Sequence, residues 1–415
     1  MSSQDFRLDF AGCQRVLQER LAEPPPGRIQ LVTGPRQVGK TTLLLGLERA
    51  LGERTVYAAA DAPEAALPGF WDRLWTRAEA AAGEHGTAVL LIDEVQHAPR
   101  WAHRLKADWD RVRRCPLPIH VVATGSSALG IDAGSRESLA GRFERLTLAH
   151  WSAHSLAEAF DLDPEAAAEE VVRRGAYPGA FAFTGDPRRW SVYVRDAIVE
   201  PAIGRDILGL ATVRRPALLR QVFSVAAASP AQVISLQKLR GQLQDRGALE
   251  TLAHYLALLE DAYLVAALPK HVSRPARRRA SPPKLVPLSN ALCAVVDPRG
   301  IPGRESDPDR FGAWVENACL AHAWSAGQRV AYWRESPLEV DGVLEGSWGQ
   351  WAIEVKTGPF GARDLEGLFE FTRRFRRYRP LVVCGDAQLP AAARLGAEAV
   401  TWKRFLLDGP PTPAA

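Results

Sequence analysis

The sequence predicts an α/β protein: a parallel sheet with helices over residues 1–150, a mainly helical middle, and a second α/β unit near the C-terminal end. Three observations carry this expectation. Short apolar strands alternate with longer amphipathic stretches up to about residue 150, the pattern of a parallel sheet covered by helices. The strand signal fades between 151 and 270. Alternation then resumes over 291–408, after a proline-rich, basic stretch.

Length and composition agree with that division. A chain of 415 residues suits two or three domains, each able to bury its own core. With 47% hydrophobic and 24% charged residues, disordered, collagen-like and disulfide-scaffold classes are excluded. No apolar run approaches the roughly 20 residues of a membrane helix, and Ala88 to Ile92 is strand-sized, so no membrane association is expected. The opening MSSQDFRLDF carries charges where a signal peptide needs an apolar core. The five cysteines (Cys13, Cys115, Cys293, Cys319, Cys384) lack metal or redox spacing, which suits a reducing cytoplasm. Only seven of the 52 basic residues are lysine, as a GC-rich genome would give. Net charge is +4, so any grip on nucleic acid must come from local patches.

The strands expected in the first 150 residues are Ile29–Thr33, Thr55–Ala60, Ala88–Ile92, His120–Thr124 and Phe143–Leu148. Farther on, Leu236, Leu239 and Leu243 share one helical face, and Leu252, Tyr255, Leu256 and Leu259 share another. The apolar segment Ala262–Leu268 follows them. Helix, helix, strand is the order of a winged helix and also of plain helical lids. Residues 271–290 hold five Arg or Lys, no acid and four prolines, and read as an extended linker. Its Arg277, Arg278 and Arg279 could touch phosphate, or simply stay solvated. The tail 409–415, GPPTPAA, is expected to be disordered.

The strongest motif is Gly34-Pro-Arg-Gln-Val-Gly-Lys-Thr41, which fits G-x-x-x-x-G-K-[ST] between a strand and a helix. Such a loop wraps a triphosphate in backbone N–H groups, here from Gly34, Gln37, Val38, Gly39, Lys40, Thr41 and Thr42, at a helix N-terminus. Lys40 should reach the β- and γ-phosphates, and the Thr41 hydroxyl should ligate Mg²⁺. AVLLIDEVQ sets Asp93 and Glu94 at the end of a fully apolar strand, where Asp93 would hold the Mg²⁺ shell and Glu94 would polarise the attacking water. The strand HVVAT ends at Gly125-Ser126, and Ser126 can sense the γ-phosphate. ATP and Mg²⁺ are therefore the expected cofactors, and ATP hydrolysis the expected reaction. Arg142, just before an edge strand, could reach a neighbouring subunit's γ-phosphate, or form an ordinary surface salt bridge.

Near the C-terminal end, Leu338–Leu344 and Gln350–Val355 alternate around a turn at Glu345–Gly349. In an antiparallel hairpin paired residue numbers have a constant sum, here near 694–695, which sets Asp341 opposite Glu354 within one residue. Lys356 then shares a face with Glu354. Two carboxylates beside a lysine can hold Mg²⁺, bind a scissile phosphate and orient water, and Glu316 on an amphipathic helix could add a third. Three readings stay open: an active nuclease, a nuclease-like module that binds without cutting, and a solvated charge cluster. Beyond it, Phe371 to Arg379 interleaves aromatics with five arginines. The spacing of Phe371, Phe375 and Tyr378 suits burial, leaving Arg373, Arg374, Arg376 and Arg377 for phosphates.

On these residues the chain resembles a large prokaryotic family of AAA-type ATPases that carry a C-terminal restriction-endonuclease-like domain of long-unassigned function. GPRQVGKTT, YAAADAP, LLIDEVQ, VVATGSSAL, SLAGR, GAYPGA, GRDIL, YLALLEDAYLV, WVENACL, YWRE, LEVDGVL and AIEVKTG carry the likeness, in order from about 30 to 360. The resemblance implies an AAA-type P-loop domain over 1–150, a helical and winged-helix region over 151–270, and a nuclease-like domain over 291–408. The long prolyl-arginyl linker and the arginine-rich segment near 375 depart from the family pattern. Together these readings predict an ATP-driven enzyme acting on DNA, branched or partly single-stranded, as a homo-oligomer such as a hexamer. The alternatives are a nucleotide-controlled switch that recruits a protein, and an ATP-gated nuclease.

Overall fold

The computed structural model describes residues 6–114, 117–125, 139–244, 247–272 and 281–411. The chain forms two compact units, one of residues 1–149 with 204–211 and one of residues 150–203 with 212–415. Residues 204–211, expected in the middle region, therefore fold with the first unit. Ser126 and Arg277, Arg278 and Arg279 lie outside the described residues.

The first unit is built on β1 (Arg7–Leu8), α1 (Phe10–Leu21), β2 (Ile29–Thr33), α2 (Lys40–Leu51), β3 (Thr55–Ala59), α3 (Phe70–His85), β4 (Ala88–Asp93), α4 (Trp101–Arg114), β5 (Ile119–Gly125) and β6 (Phe143–Leu148). Its six strands are all parallel, in the order β1-β6-β2-β5-β4-β3. The five strands expected from sequence are present, and the two-residue β1 is too short to leave a periodic signal. β2, β4 and β5 are buried along their whole length, which is why they are mostly apolar on both faces. Trp71, Trp75 and Trp101 pack with Leu90, Ile92 and Val121 in the core of this unit. In a parallel sheet every strand delivers its C-terminal end to one edge, so the ends of β2, β4 and β5 meet there.

The second unit begins with α5 (Ala153–Phe160) and α6 (Pro164–Arg174), and a further helical stretch starts at Pro187. It continues with α7 (Pro216–Ala227), β7 (Gln232–Val233), α8 (Leu236–Gln242), α9 (Leu249–Asp261), β8 (Val265–Leu268) and β9 (Lys284–Pro287). β9 pairs antiparallel with both neighbours in a sheet of order β7-β9-β8. This corrects the reading of 271–290 as linker throughout. Leu285 and Val286 are fully buried, so Lys284–Pro287 is a central strand. The prolines conceal it in sequence, because Pro282 and Pro283 precede the strand and Pro287 is its last residue.

The rest comprises α10 (Asn290–Val296), α11 (Pro308–Ser325), β10 (Arg329–Glu335), β11 (Leu338–Gly346), β12 (Gly349–Lys356), α12 (Glu366–Arg374), β13 (Arg379–Cys384), α13 (Leu389–Arg394), β14 (Glu398–Thr401) and α14 (Trp402–Asp408). The five strands lie in sequence order, antiparallel from β10 to β12 and parallel from β12 to β14. One sheet face packs Leu344, Ile353 and Leu381 against Trp314, Val315 and Leu320 of α11. The other packs Val340, Val343 and Ala352 against Leu368 and Phe371 of α12. The β11–β12 register pairs Gly342 with Ile353 and Gly346 with Gly349, a constant sum of 695, within the expected range.

Gly367 lets α12 approach β11 closely, since a Cβ there would lie 2.1 Å from the Glu339 carbonyl oxygen. Gly367→Ala is expected to destabilise this unit by about 1–3 kcal/mol. Denaturant unfolding followed by tryptophan fluorescence measures the cost, and an unchanged midpoint would show that the helix simply shifts.

Candidate nucleotide site and C-terminal carboxylate cluster

The loop after β2 needs its glycines. Gly34 has φ +155°, and a Cβ there would lie 2.1 Å from the Leu148 carbonyl oxygen. Gly39 adopts φ +99° at the N-cap of α2, a left-handed backbone that glycine takes without strain. Lys40 is only 5% exposed, and its Nζ donates to the carbonyls of Gly34 (3.1 Å) and Pro35 (2.6 Å). Burial pushes its pKa down against the opposing pull of Glu94, Asp206 and Asp93.

Asp93, at the end of β4, is the hub of the edge. It accepts hydrogen bonds from the hydroxyls of Thr41 (2.7 Å) and Tyr57 (3.2 Å), and from Thr124 at the end of β5. Glu94 follows in a left-handed turn (φ +48°), its backbone N–H donating to the Thr124 hydroxyl at 3.1 Å. Gln96 Nε2 donates to Glu94 Oε2 at 2.5 Å. A cavity of about 560 Å³ beside Glu94 is lined by Arg36, Asp61, His97 and Arg205, among others. These residues suit a triphosphate with a divalent cation. A glycine-capped helix start can take phosphate on its backbone N–H groups, a buried ammonium donating to carbonyls can turn to it, and a hydroxyl–carboxylate pair offers hard oxygen ligands.

Asp206 carried no signal that sequence reasoning could use. Arg36 in the phosphate loop donates to both Asp206 oxygens at 2.7 Å, and that aspartate is 2% exposed. The pair spans 170 residues, and GRDIL entered only as part of the resemblance. Gln37 and Val38 complete the loop, and Thr42 is exposed on the first turn of α2. Arg142 lies at the opposite end of the sheet, its carbonyl receiving the Ile29 N–H at the start of β2. Its guanidinium donates to both oxygens of Asp110 (2.8 and 3.2 Å) and lies 5.8 Å from the Trp109 ring centre. It is thus remote from its own chain's phosphate loop and bound at the surface.

In the second unit, Glu316 of α11, Asp341 of β11, and Glu354 and Lys356 of β12 come together. Asp341 Oδ2 accepts the Val355 N–H at 2.9 Å, and Lys356 Nζ donates to Glu354 Oε1 at 2.8 Å. The sequence reading missed a second lysine. Lys284 of β9, 1% exposed, donates to Glu316 Oε1 at 2.6 Å and to the Asp341 carbonyl at 3.1 Å. Its segment had read as linker, so nothing pointed inward. Burial, then the neighbouring Asp341, raises the Glu316 carboxyl to about 7 against Lys284, and raises Glu354 to about 8 against Lys356. Lys284 is pushed up despite burial, because Glu316 and Asp341 outweigh the loss of water.

The arginines near 375 are mostly spoken for. Arg373 and Arg374 pair with Glu370, Arg374 also with Glu335, and Arg377 with Glu345. Arg379 pairs with Glu398. Arg376 alone of the five is exposed with no ion pair among the described residues. Phe371 and Tyr378 are buried, their ring centres 5.2 Å apart, and Phe375 is half-buried beside Phe371. Cys13, Cys293, Cys319 and Cys384 are buried free thiols, and burial pushes Cys13 up to about 12 and Cys384 to about 11. Among the described residues no helix is long and apolar enough to cross a membrane.

The raised carboxyls set a pH dependence. Folded Glu316 and Glu354 hold protons more tightly than in the unfolded chain, so their contribution to stability is greatest below the ordinary glutamate range. It is lost as pH rises through about 7–8. Melting of Glu354→Gln should match the native chain near pH 5 and exceed it near pH 8.5. Equal melting temperatures at both pH values would refute this.

Comparison with known proteins bears on these observations. Residues 26–156 match the family described as an AAA domain, and residues 165–299 match a domain of unknown function (DUF8612). Uncharacterized proteins of Mycobacterium tuberculosis (strain H37Rv) and Mycobacterium bovis are each 28% identical over 335 residues, 79% of this chain and 70% of theirs. Among solved structures, the Aeropyrum pernix ORC2 protein is 15% identical, covering 76% of this chain and 96% of its own, with a TM-score of 0.41. The Thermotoga maritima RuvB Holliday junction branch migration motor is 17% identical, covering 63% and 89%, with a TM-score of 0.33. The matched residues 26–156 hold the phosphate loop, the Asp93–Glu94 pair and five strands of the parallel sheet, and with them this chain carries an AAA-type P-loop ATPase domain.

Proposed function

We propose that this ATPase drives or gates the action of a nuclease-like C-terminal domain on nucleic acid, with branched or partly single-stranded DNA as the substrate class. The observation that carries the reading is the meeting of Asp341, Glu354 and Lys356 on neighbouring strands, with Glu316 facing them. The surrounding order supports it: helix, three antiparallel strands, helix, then a parallel strand is the arrangement expected of a restriction-endonuclease-like fold. The order α7, β7, α8, α9, β8, β9 likewise suits a winged helix, a module that binds duplex DNA.

At the nucleotide site, Lys40 and the loop amides hold the phosphates, Thr41 and Asp93 ligate Mg²⁺, and Glu94 orients and polarises the attacking water. The metal, when bound, neutralises charge building on the phosphates. Gln96 holds the Glu94 carboxylate and thereby governs its aim. Arg142 serves a neighbouring subunit in a homo-oligomer, where it leaves Asp110 for the γ-phosphate, and Ser126 is assigned the role of γ-phosphate sensor.

A second reading has its own support. Ion pairing of Arg373, Arg374, Arg377 and Arg379 removes much of the charge that a polyanion would need, which favours a nucleotide-controlled switch that recruits a protein. ATP turnover measured with duplex, single-stranded and branched DNA separates the two. The nucleic-acid reading expects stimulation of several-fold by at least one DNA, and absence of binding to all three would overturn it. Glu94→Gln should lower turnover by about a hundredfold or more. Arg142→Ala should abolish most turnover while leaving ATP binding intact; full activity would remove the intersubunit role.

A further inference from the structure

Lys284 stands at the centre of the C-terminal acids. Its Nζ lies 2.6 Å from Glu316 Oε1, 3.6 Å from Asp341 Oδ1 and 3.8 Å from Glu339 Oε1, besides donating to the Asp341 carbonyl at 3.1 Å. Four oxygens from α11 and β11 thus converge on one ammonium nitrogen. A hard divalent cation seeks the same kind of oxygen array, drawn in to about 2.0–2.6 Å. With the lysine seated, the acids stay wider apart: among the described residues no group of three or more His, Cys, Asp or Glu is gathered closely enough to hold a metal.

The cluster nevertheless has room for more positive charge. Four carboxyl groups (Glu316, Glu339, Asp341, Glu354) face three cationic groups, Lys284, Lys356 and Arg334, the last paired with Glu339 at 3.4 Å. Glu354 is 6% exposed, and its Oε2 is buried without a hydrogen-bond partner among the described residues. Such an orphaned oxygen is costly unless something comes to it. The strand that brings Lys284 is held on both sides, with Lys284 itself registered opposite Val233 and Leu268. Lys284 is thereby fixed within the β7-β9-β8 sheet, and it also ties that sheet to the one carrying Asp341, to whose carbonyl it donates, while Tyr332 of β10 donates to the Pro282 carbonyl just before β9.

We propose that Lys284 is the resident cation of this cluster, and that Mg²⁺ or Mn²⁺ enters only when β9 withdraws it. The inference rests on reading the cluster as a nuclease-like site and names its regulation. With β9 seated the domain holds no catalytic metal and does not cut, whatever it binds.

The test uses the full chain and Mn²⁺ alone, without nucleotide or DNA, with bound metal counted from the loss of the free Mn²⁺ resonance. Lys284→Met should gain one site at least tenfold tighter than any in the native chain, and Asp341→Asn in that background should abolish it. Two results overturn the proposal: a folded Lys284→Met chain with no gain, or a native chain already holding Mn²⁺ as tightly at a site that Asp341→Asn removes. The native comparison stands even if Lys284→Met fails to fold, and Lys284→Gln supplies a second substitution. No DNA enters the measurement, so a chain that ignores DNA yet gains the metal site would retain this inference and lose the nucleic-acid reading.

Discussion

Burying an ammonium group is costly unless its three donors are satisfied and its charge is met, and this chain does it twice. Lys40 and Lys284 are the two buried lysines among the described residues, and their surroundings differ in kind. Lys40 donates to neutral carbonyls, and the carboxylates that bear on it do not offset its loss of water. Its charge is thus underused, and an arriving phosphate would meet it. Lys284 is held by carboxylates that more than offset burial. Its charge is already spent. The same side chain is a poised ligand group in the first unit and an internal counterion in the second.

That contrast extends to the acids. Asp93 has hydroxyl donors on both oxygens and lies at the meeting edge of a parallel sheet, where all strands aim one way. Its geometry follows from the sheet alone. The C-terminal acids come from a helix and two antiparallel strands, beside the irregular register between Ala331 and Trp333 opposite Val340 to Val343. A bulge of this kind redirects side chains and ends simple alternation. Such a site depends on several elements holding their places, so displacing one strand changes its character.

The legible parts of the molecule were those fixed by local rules. The phosphate loop is eight consecutive residues with glycines where the backbone needs them, and the β2, β4 and β5 runs announce burial on both faces. The Asp341–Glu354 register followed from period-two alternation and a short turn, because a hairpin leaves one free parameter. Partners distant in sequence stayed hidden. Asp206 meets Arg36 across 170 residues, and Lys284 meets Asp341 across 57. Composition also misled: prolines and arginines around 271–290 have the same signature whether the chain is solvated or contributes a buried strand. Of the acids that hold the arginines near 375, Glu370 is a helical neighbour of Arg373 and Arg374, whereas Glu335, Glu345 and Glu398 are remote in sequence and could not be assigned to them.

Two charged groups would have to move for the proposed cycle, and their present bonds are unequal. Arg142 binds Asp110 at the surface, with both side chains about 30% exposed, so water readily replaces either partner. It can leave for a neighbouring subunit's phosphate with little penalty. Lys284 is enclosed, and removing it alone would strand several carboxylates in a dry site, a far more expensive change. Its withdrawal therefore requires a replacement cation or protons arriving in the same event. Nucleotide turnover could cycle the first contact spontaneously, whereas the second would respond only when β9 is displaced and positive charge is supplied at once. A lock of that kind stays closed under thermal fluctuation and opens under a coordinated signal.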